Sequence, residues 1–296
     1  MNFGGIDDEK LSGREAARIL MLPIAYEGTV SYGTGTAQGA QGIIDASRNM
    51  ELYDEETDTE IYKLGIHTLP ALESEGTPEA TLNRIYERVR ELLASPQADK
   101  FIVTIGGEHS ITAPVVRAYK ERYENISVLQ IDAHADQRDT YDDTPLSHAC
   151  VMRRITGDMK IPAVQCGIRS LSSDEARAVK DLPTHIYWAK DVVGRDDWQE
   201  EAVSHLTENV FLTIDVDGFD SSIMPHTGTP EPGGFAWYEV TKLIRTLAAR
   251  RRIVGFDIVE YAHTEGTSAS AFLCAKLIYK TLSFIFADDA EPVRGN

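Results

Sequence analysis

Two acidic runs carry most of the chemistry available to this 296-residue chain, Asp132-Ala-His134-Ala-Asp136 and Asp215-Val-Asp217-Gly-Phe-Asp220. Each follows an apolar stretch, 127–131 and 209–214, that reads as a buried β-strand. Burying so many carboxylates at one end of a sheet is prohibitive unless cations neutralise them, and a metal ion is the simplest neutraliser. Alternate residues of an extended chain point the same way, so Asp132, His134 and Asp136 are expected to converge, as are Asp215 and Asp217. A third strand-like run ends in Gly106-Gly107-Glu108-His109-Ser110, where a tight glycine turn would present His109. Two imidazoles and four carboxylates with no thiolate favour a borderline-hard ion, Mn²⁺ before structural zinc. Six donors exceed what one catalytic ion with an open position uses. With bridging carboxylates they can hold two ions about 3.5–4 Å apart, close enough for both to activate one water. The expected chemistry is hydrolysis at a dinuclear centre.

The elements that would position these residues alternate along the chain. Strands are expected at 17–23, 101–105, 127–131, 163–168, 209–214 and 253–259, and helices at about 36–47, 77–96, 110–124, 172–181, 237–250 and 268–286. Strands apolar on both faces, separated by amphipathic helices, indicate an α/β fold whose parallel sheet is covered on both sides. With no repeat, low-complexity block or Pro/Gly/Ser linker to divide it, residues 1–296 are expected to form a single domain. Ligands of such sheets bind beyond the carboxyl ends of the strands. His109, the two acidic runs and Glu260 all fall there, after four different strands. The Gly106-Gly107 pair lacks the further glycines of a dinucleotide fingerprint and the Gly-Lys-Ser/Thr of a P-loop, so no phosphate loop is expected.

Composition narrows the partners. With 29 Lys+Arg against 47 Asp+Glu the net charge is −18, which argues against nucleic acid or an anionic membrane and would draw in cationic small molecules. No stretch approaches the roughly 18 uninterrupted apolar residues of a membrane span, and the polar start lacks a basic region followed by an apolar signal core. Cys150, Cys166 and Cys274 form no CxxC pair. Scattered thiols of odd number fit a reducing compartment, so the expected location is cytoplasmic.

Taken in order, Pro23-Ile-Ala-Tyr-Glu-Gly-Thr-Val-Ser-Tyr-Gly33, the 106–110 turn, the 132–136 run, Ser147-His148-Ala149, the 215–220 run, Met224-Pro225, Gly228-Thr-Pro-Glu-Pro-Gly-Gly234 and Gly255-Phe-Asp-Ile-Val-Glu260 resemble the arginase/agmatinase (ureohydrolase) family, agmatinases most. The resemblance implies a three-layer α/β/α fold with a mainly parallel central sheet, two Mn²⁺ per chain and a homo-oligomer, a trimer or hexamer. It implies that His109, Asp132, Asp136 and Asp215 hold one ion and Asp132, His134, Asp215 and Asp217 the other, so that Asp132 and Asp215 bridge. It also implies that Glu260 grips the substrate guanidinium, that Asp136 orients the nucleophile and that His148 delivers or relays a proton to the leaving amine. Ser221, His226, His263, Ala271 and Ala149 depart from the family pattern, and none is a proposed ligand.

The products implied are urea and an amine. The 137–147 loop lacks the Asn and Ser-Gly-Asn pattern with which arginine-selective relatives hold an α-amino acid. Its Asp139, Asp142 and Asp143 would suit a cationic or uncharged tail, while Arg138 could meet a carboxylate and keeps guanidinobutyrate-like acids open. Agmatine, giving putrescine and urea in polyamine biosynthesis, is the first expectation, with aminopropylagmatine, guanidinobutyrate and arginine as alternatives. Readings of another class are a dinuclear phosphoesterase, which would want basic groups the motifs do not offer, and a catalytically silent oligomeric relative.

Overall fold

In the computed structural model, which describes residues 2–94 and 99–294, nine strands are found among the described residues. They are β1 (Ile19–Ala25), β2 (Ile66–Thr68), β3 (Leu72–Glu73), β4 (Phe101–Ile105), β5 (Ile126–Ile131), β6 (Ala163–Ile168), β7 (Thr184–Trp188), β8 (Asn209–Asp215) and β9 (Arg252–Val259). All pair in parallel in the order β2-β1-β4-β9-β8-β5-β6-β7, with β3 also alongside β1.

Period-two alternation builds a core on each side of this sheet. Ile19, Met21, Val103, Ile105, Leu129, Ile131, Leu212 and Ile214 face one layer, against the helices Gly39–Ser47, Trp237–Arg250 and Ala269–Ile285. Leu20, Leu22, Ile102, Val128 and Phe211 face the other, against Pro78–Ala94 and Thr112–Arg122. Each fully buried aliphatic or aromatic side chain contributes roughly 1.5–3 kcal/mol, so two such layers hold the sheet between helices, as the α/β/α expectation has it. No helix among the described residues is long and apolar enough to cross a membrane.

All six expected strands and six expected helices are present within a few residues; positions 95 and 96 of the expected 77–96 helix lie outside the described residues. The short edge elements β2, β3 and β7 had no expectation. In β7, Thr-His-Ile-Tyr-Trp is exposed or half-buried throughout, so it carries no apolar run for a sequence reading to find.

The strand order reverses at the centre. On one side β5, β6 and β7 succeed one another outward, on the other the chain goes outward from β1 to β2 and returns to β4 on the inner side of β1, and β8 and β9 are inserted between β4 and β5. Such a switch leaves a crevice at the carboxyl ends of the central strands, where neighbouring connections diverge.

A buried ion pair ties the last helix to the segment before β2. Lys280, 2% exposed at the side chain, lies 2.7 Å from the carboxylate of fully buried Asp54 and 3.1 Å from Glu55. Removing one partner leaves the other charge buried without its counter-ion. Lys280→Ala is therefore expected to cost about 3–5 kcal/mol, read from urea unfolding, and a midpoint equal to wild type would remove this pair from the account of stability.

Candidate metal centre

The central strands β9, β8 and β5 each end in a turn that lines one crevice of about 310 Å³, and the turn after β4 places His109 buried beside it. At the end of β4, Gly106 and Gly107 adopt φ of +83° and +80°. A Cβ on Gly106 would lie 2.7 Å from the backbone nitrogen of Ala40, so both the conformation and the space call for glycine. The Gly106 N–H donates to Ile258 and the Gly107 carbonyl accepts from Glu260 N–H, lacing the turn to β9. His109 emerges from it 1% exposed.

Past β5, Asp132 Oδ1 accepts the His134 N–H at 2.6 Å and Asp132 Oδ2 accepts from the Gln130 amide at 2.6 Å. Asp136 follows with φ of +51°, its carbonyl accepting the Met152 and Arg153 N–H groups. Past β8 the convergence of Asp215 and Asp217 has a different origin from the extended alternation expected. Asp215 Oδ1 accepts the Asp217 N–H at 2.9 Å and curls 216–218 into a 3₁₀ turn. Asp217 then folds back to accept the Ala133 N–H at 3.0 Å and to meet His134. An aspartate capping its own turn is the cheaper local geometry once pairing with the next strand ends.

The outcome is two groups of donors sharing Asp132. Oxygens of Asp132, Asp136 and Asp215 lie 3.1, 3.0 and 3.3 Å from His109 Nδ1. On its other side Asp132 Oδ1 is 3.7 Å from His134 Nδ1, and Asp217 Oδ2 is 2.9 Å from the same nitrogen. The sets His109-Asp132-Asp136 and Asp132-His134-Asp217 each offer ligand atoms within 4.8 Å of one another.

The electrostatics call for positive charge between them. His109 Nε2 sits 3.0 Å from the Thr213 hydroxyl, which leaves Nδ1 buried without a well-directed hydrogen bond among carboxylate oxygens. Burial opposes protonation of His109, but Asp132, Asp136 and Asp215 outweigh it and raise its pKa well above the ordinary range. Burial likewise opposes protonation of His134, yet Asp217 and Asp132 hold its pKa up at about 11. Burial, reinforced by Asp217 and Asp136, pushes Asp132 up to about 7. Burial with Asp217 and Asp132 pushes Asp215 well up. Asp217 instead falls, to about 2, its burial outweighed by His134. Without a metal, protons must supply the positive charge. The orphaned Nδ1 and the hard oxygen donors around it are what a divalent cation would satisfy.

Of the eight residues singled out by sequence, His134, Asp136, His148, Asp215, Asp217 and Glu260 line the crevice. His109 and Asp132 lie buried. Glu260 is 7% exposed, with Oε1 accepting the His109 N–H at 2.6 Å; burial and the nearby Glu108 push it up to about 8. His148, capped by Ser147, stands half-buried on the loop after the 132–136 run. The acids expected to suit a cationic tail do not reach the crevice. Asp142 and Asp143 occupy the two positive-φ positions of a tight turn closed by Tyr141 and Thr144, and Asp139 pairs with Arg154 at 2.9 Å. Glu231 lines it instead, 3.9 Å from His134 Nε2.

Supporting residues escaped the sequence reading. Gln130 and Thr213 are polar positions inside otherwise apolar strands, and that break in pattern was the available signal. Arg169 donates to the carbonyls of Asp217, Phe219 and Glu231 at 2.7, 3.1 and 2.9 Å, pinning the loop that carries two crevice acids.

With this geometry in place, comparison with known proteins is direct. The Arginase family matches residues 17–283. The N(1)-aminopropylagmatine ureohydrolase of Synechocystis sp. is 38% identical over 94% of this chain and 92% of its own length. The enzyme of the same name from Thermococcus kodakarensis is 36% identical over 90% and 91%. The crystal structure of agmatine ureohydrolase of Thermoplasma volcanium superposes with a TM-score of 0.83 at 28% identity, covering 95% of this chain and 94% of that one. The chain belongs to the Arginase family. That membership bears out the expected hydrolase acting on guanidino C–N bonds.

Because protons hold the centre together without metal, loading must expel them. Groups whose pKa is raised keep their protons until pH climbs past it, so affinity for Mn²⁺ is expected to fall as pH falls. Titration calorimetry in two buffers of unlike ionisation enthalpy should report net proton release on binding. Binding enthalpies that agree between the buffers would refute this protonation pattern.

Proposed function

We propose that the protein is a dinuclear manganese ureohydrolase acting on a guanidino compound with a cationic tail, N(1)-aminopropylagmatine first and agmatine second. In this reading His109, Asp132, Asp136 and Asp215 hold one ion and Asp132, His134, Asp215 and Asp217 the other. Asp132 supports this most directly, since its two oxygens already face the two histidines. Asp215 turns one oxygen to within 3.3 Å of His109 Nδ1 and accepts the Asp217 N–H with the other. Bound manganese would supply a strong nucleophile from water near neutral pH.

The chain's own residues do the rest. A guanidinium carbon is a poor electrophile, so it must be fixed in place before attack. Glu260, buried at the crevice wall and already oriented by the His109 N–H, pairs with the guanidinium. Asp136 accepts a hydrogen bond from the attacking water and orients it. As the C–N bond breaks, its electron pair goes to the departing nitrogen, which takes a proton from His148. The balance is R–NH–C(NH₂)₂⁺ plus water to R–NH₃⁺ plus urea.

The observation that carries the choice of substrate is the charge lining the crevice. Beyond Glu260 its wall offers Glu231, while Arg138 is held with Nε 3.5 Å from buried Glu175 and its guanidinium 4.8 Å over the Tyr141 ring. An arginine clamped this way is a poor receptor for a carboxylate tail, whereas Glu231 suits an amine. The Synechocystis and Thermococcus relatives, by their names, support the aminopropyl compound, and the Thermoplasma structure supports agmatine as the second reading. We further propose one domain over residues 1–296, a cytoplasmic location, a homo-oligomer and a role in polyamine biosynthesis.

After Mn²⁺ loading, urea release across a panel of guanidino compounds is expected to give the highest kcat/KM with N(1)-aminopropylagmatine, then agmatine. A higher value for L-arginine or 4-guanidinobutyrate overturns the cationic-tail reading. His148→Asn should keep its metal and lose roughly 10²–10⁴ in kcat; unchanged turnover at full loading would strip His148 of its catalytic role.

A further inference from the structure

Glu108 stands between the glycine turn and His109, wholly buried, yet it takes no place in the donor sets. Its Oε2 accepts the N–H groups of Gly28 and Thr29, both at 2.7 Å. Its Oε1 accepts the hydroxyls of Thr29 at 2.5 Å and Ser110 at 2.6 Å. Every partner is a donor, which an ionised carboxylate matches and a neutral side chain would not. The consequence lies one residue further out. Thr29 Oγ1 has spent its only hydrogen on Glu108, so it can offer its other neighbours lone pairs alone. Those neighbours are both on His148: the backbone N–H at 3.1 Å and the ring nitrogen Nδ1 at 3.4 Å.

We infer that Glu108, acting through Thr29, is a positioning residue for His148 that fixes the imidazole proton on Nδ1 and leaves Nε2 as the nitrogen that carries the transferable proton. The inference rests on the ureohydrolase reading above. In the acid form both ring nitrogens are protonated. Nε2 gives its proton to the departing amine nitrogen as that nitrogen takes the C–N electron pair, and Nδ1–H stays on Thr29. Nε2 is reloaded by a proton released as water adds to the carbon. With the opposite tautomer the bare nitrogen would be Nδ1, turned into the loop, and Nε2–H could accept nothing. The hydrogen-bond partner of one ring nitrogen commonly chooses a histidine's tautomer in this way. Ser147 is the competitor. Its Oγ also lies 3.4 Å from Nδ1, and it accepts from the Ala149 N–H, leaving its own hydrogen free to donate to the ring. Glu108 favours Thr29, because a charge-assisted bond makes the threonine oxygen the stronger acceptor.

Thr29→Val removes the hydroxyl at constant shape, and Thr29→Ser restores it. In the full-length manganese-loaded enzyme, Thr29→Val is expected to lower kcat by about tenfold or more, with KM and bound manganese as in wild type. Thr29→Ser should recover most of the loss, and Ser147→Ala should stay near wild type. A Thr29→Val enzyme with undiminished kcat overturns the inference. So does a loss confined to KM or metal content, a failure of serine to rescue, or a loss produced by Ser147→Ala instead. If wild type releases no urea from any guanidino compound, the ureohydrolase reading falls and this inference with it; an active wild type with an indifferent Thr29→Val overturns this inference alone.

Discussion

Four carboxylates packed around two imidazoles at the carboxyl end of a parallel sheet form the constraint on which the rest of this protein depends. At the distances seen around His109 and His134, uncompensated negative charge in a poorly solvated pocket costs several kcal/mol per group. The fold accepts that cost because the donors are distributed. No strand carries more than part of the set, and backbone contacts between segments lace the loop ends together: Asp217 accepts the Ala133 N–H, Glu260 the His109 N–H and the Gly107 carbonyl the Glu260 N–H. The strand reversal makes this possible, since placing β8 and β9 between β4 and β5 brings their four loop ends together around one group of donors.

Much of this was legible from the chain, for identifiable reasons. The strands that hold the centre are buried on both faces, so their sequences are continuous apolar runs. Donors that terminate such runs stand out because nothing else explains a cluster of acids there. What was illegible is the local geometry that aims them. Asp215 and Asp217 converge through a capped turn rather than along a strand, and an Asp-x-Asp spacing is compatible with both. Asp139, Asp142 and Asp143 read as crevice acids from their count, but positive-φ turn positions and the Arg154 partner turn them away. Glu231 and Arg169 were hidden because their roles depend on contacts across 48 or more positions of sequence, such as Arg169 to Asp217.

In the proposed function, substrate choice and metal binding would be separated by depth. The floor, His109 and Asp132, is sealed from solvent and supported by polar residues inside the strands: Thr213 behind His109, and Gln130 behind Asp132 with Gln165 donating to it in turn. Such a chain of buried amides is rigid because each member lacks water as an alternative partner. The rim, with Arg138, Tyr141 and Glu231, is built from loops and half-exposed side chains. In the proposed reading, change at the rim would alter which tail is held, while change at the floor would alter whether a cation is held at all. Family members that differ in substrate can therefore keep the same floor.

The same separation bears on stability. A cation bound at the floor would be held by groups that follow β5 and β8 and by the turn after β4, so its binding free energy would also be free energy for keeping those central elements in register. The apolar layers on both faces secure the sheet without it, since they bury Val, Leu, Ile and Phe from every central strand. What the cation adds is local order. It would replace protons, which neutralise charge but direct no geometry, with metal–ligand bonds that hold side chains from several loops in one arrangement. A centre assembled from many loops gains more from such an ion than one built on a single helix would, because loop ends otherwise have the fewest constraints in the structure.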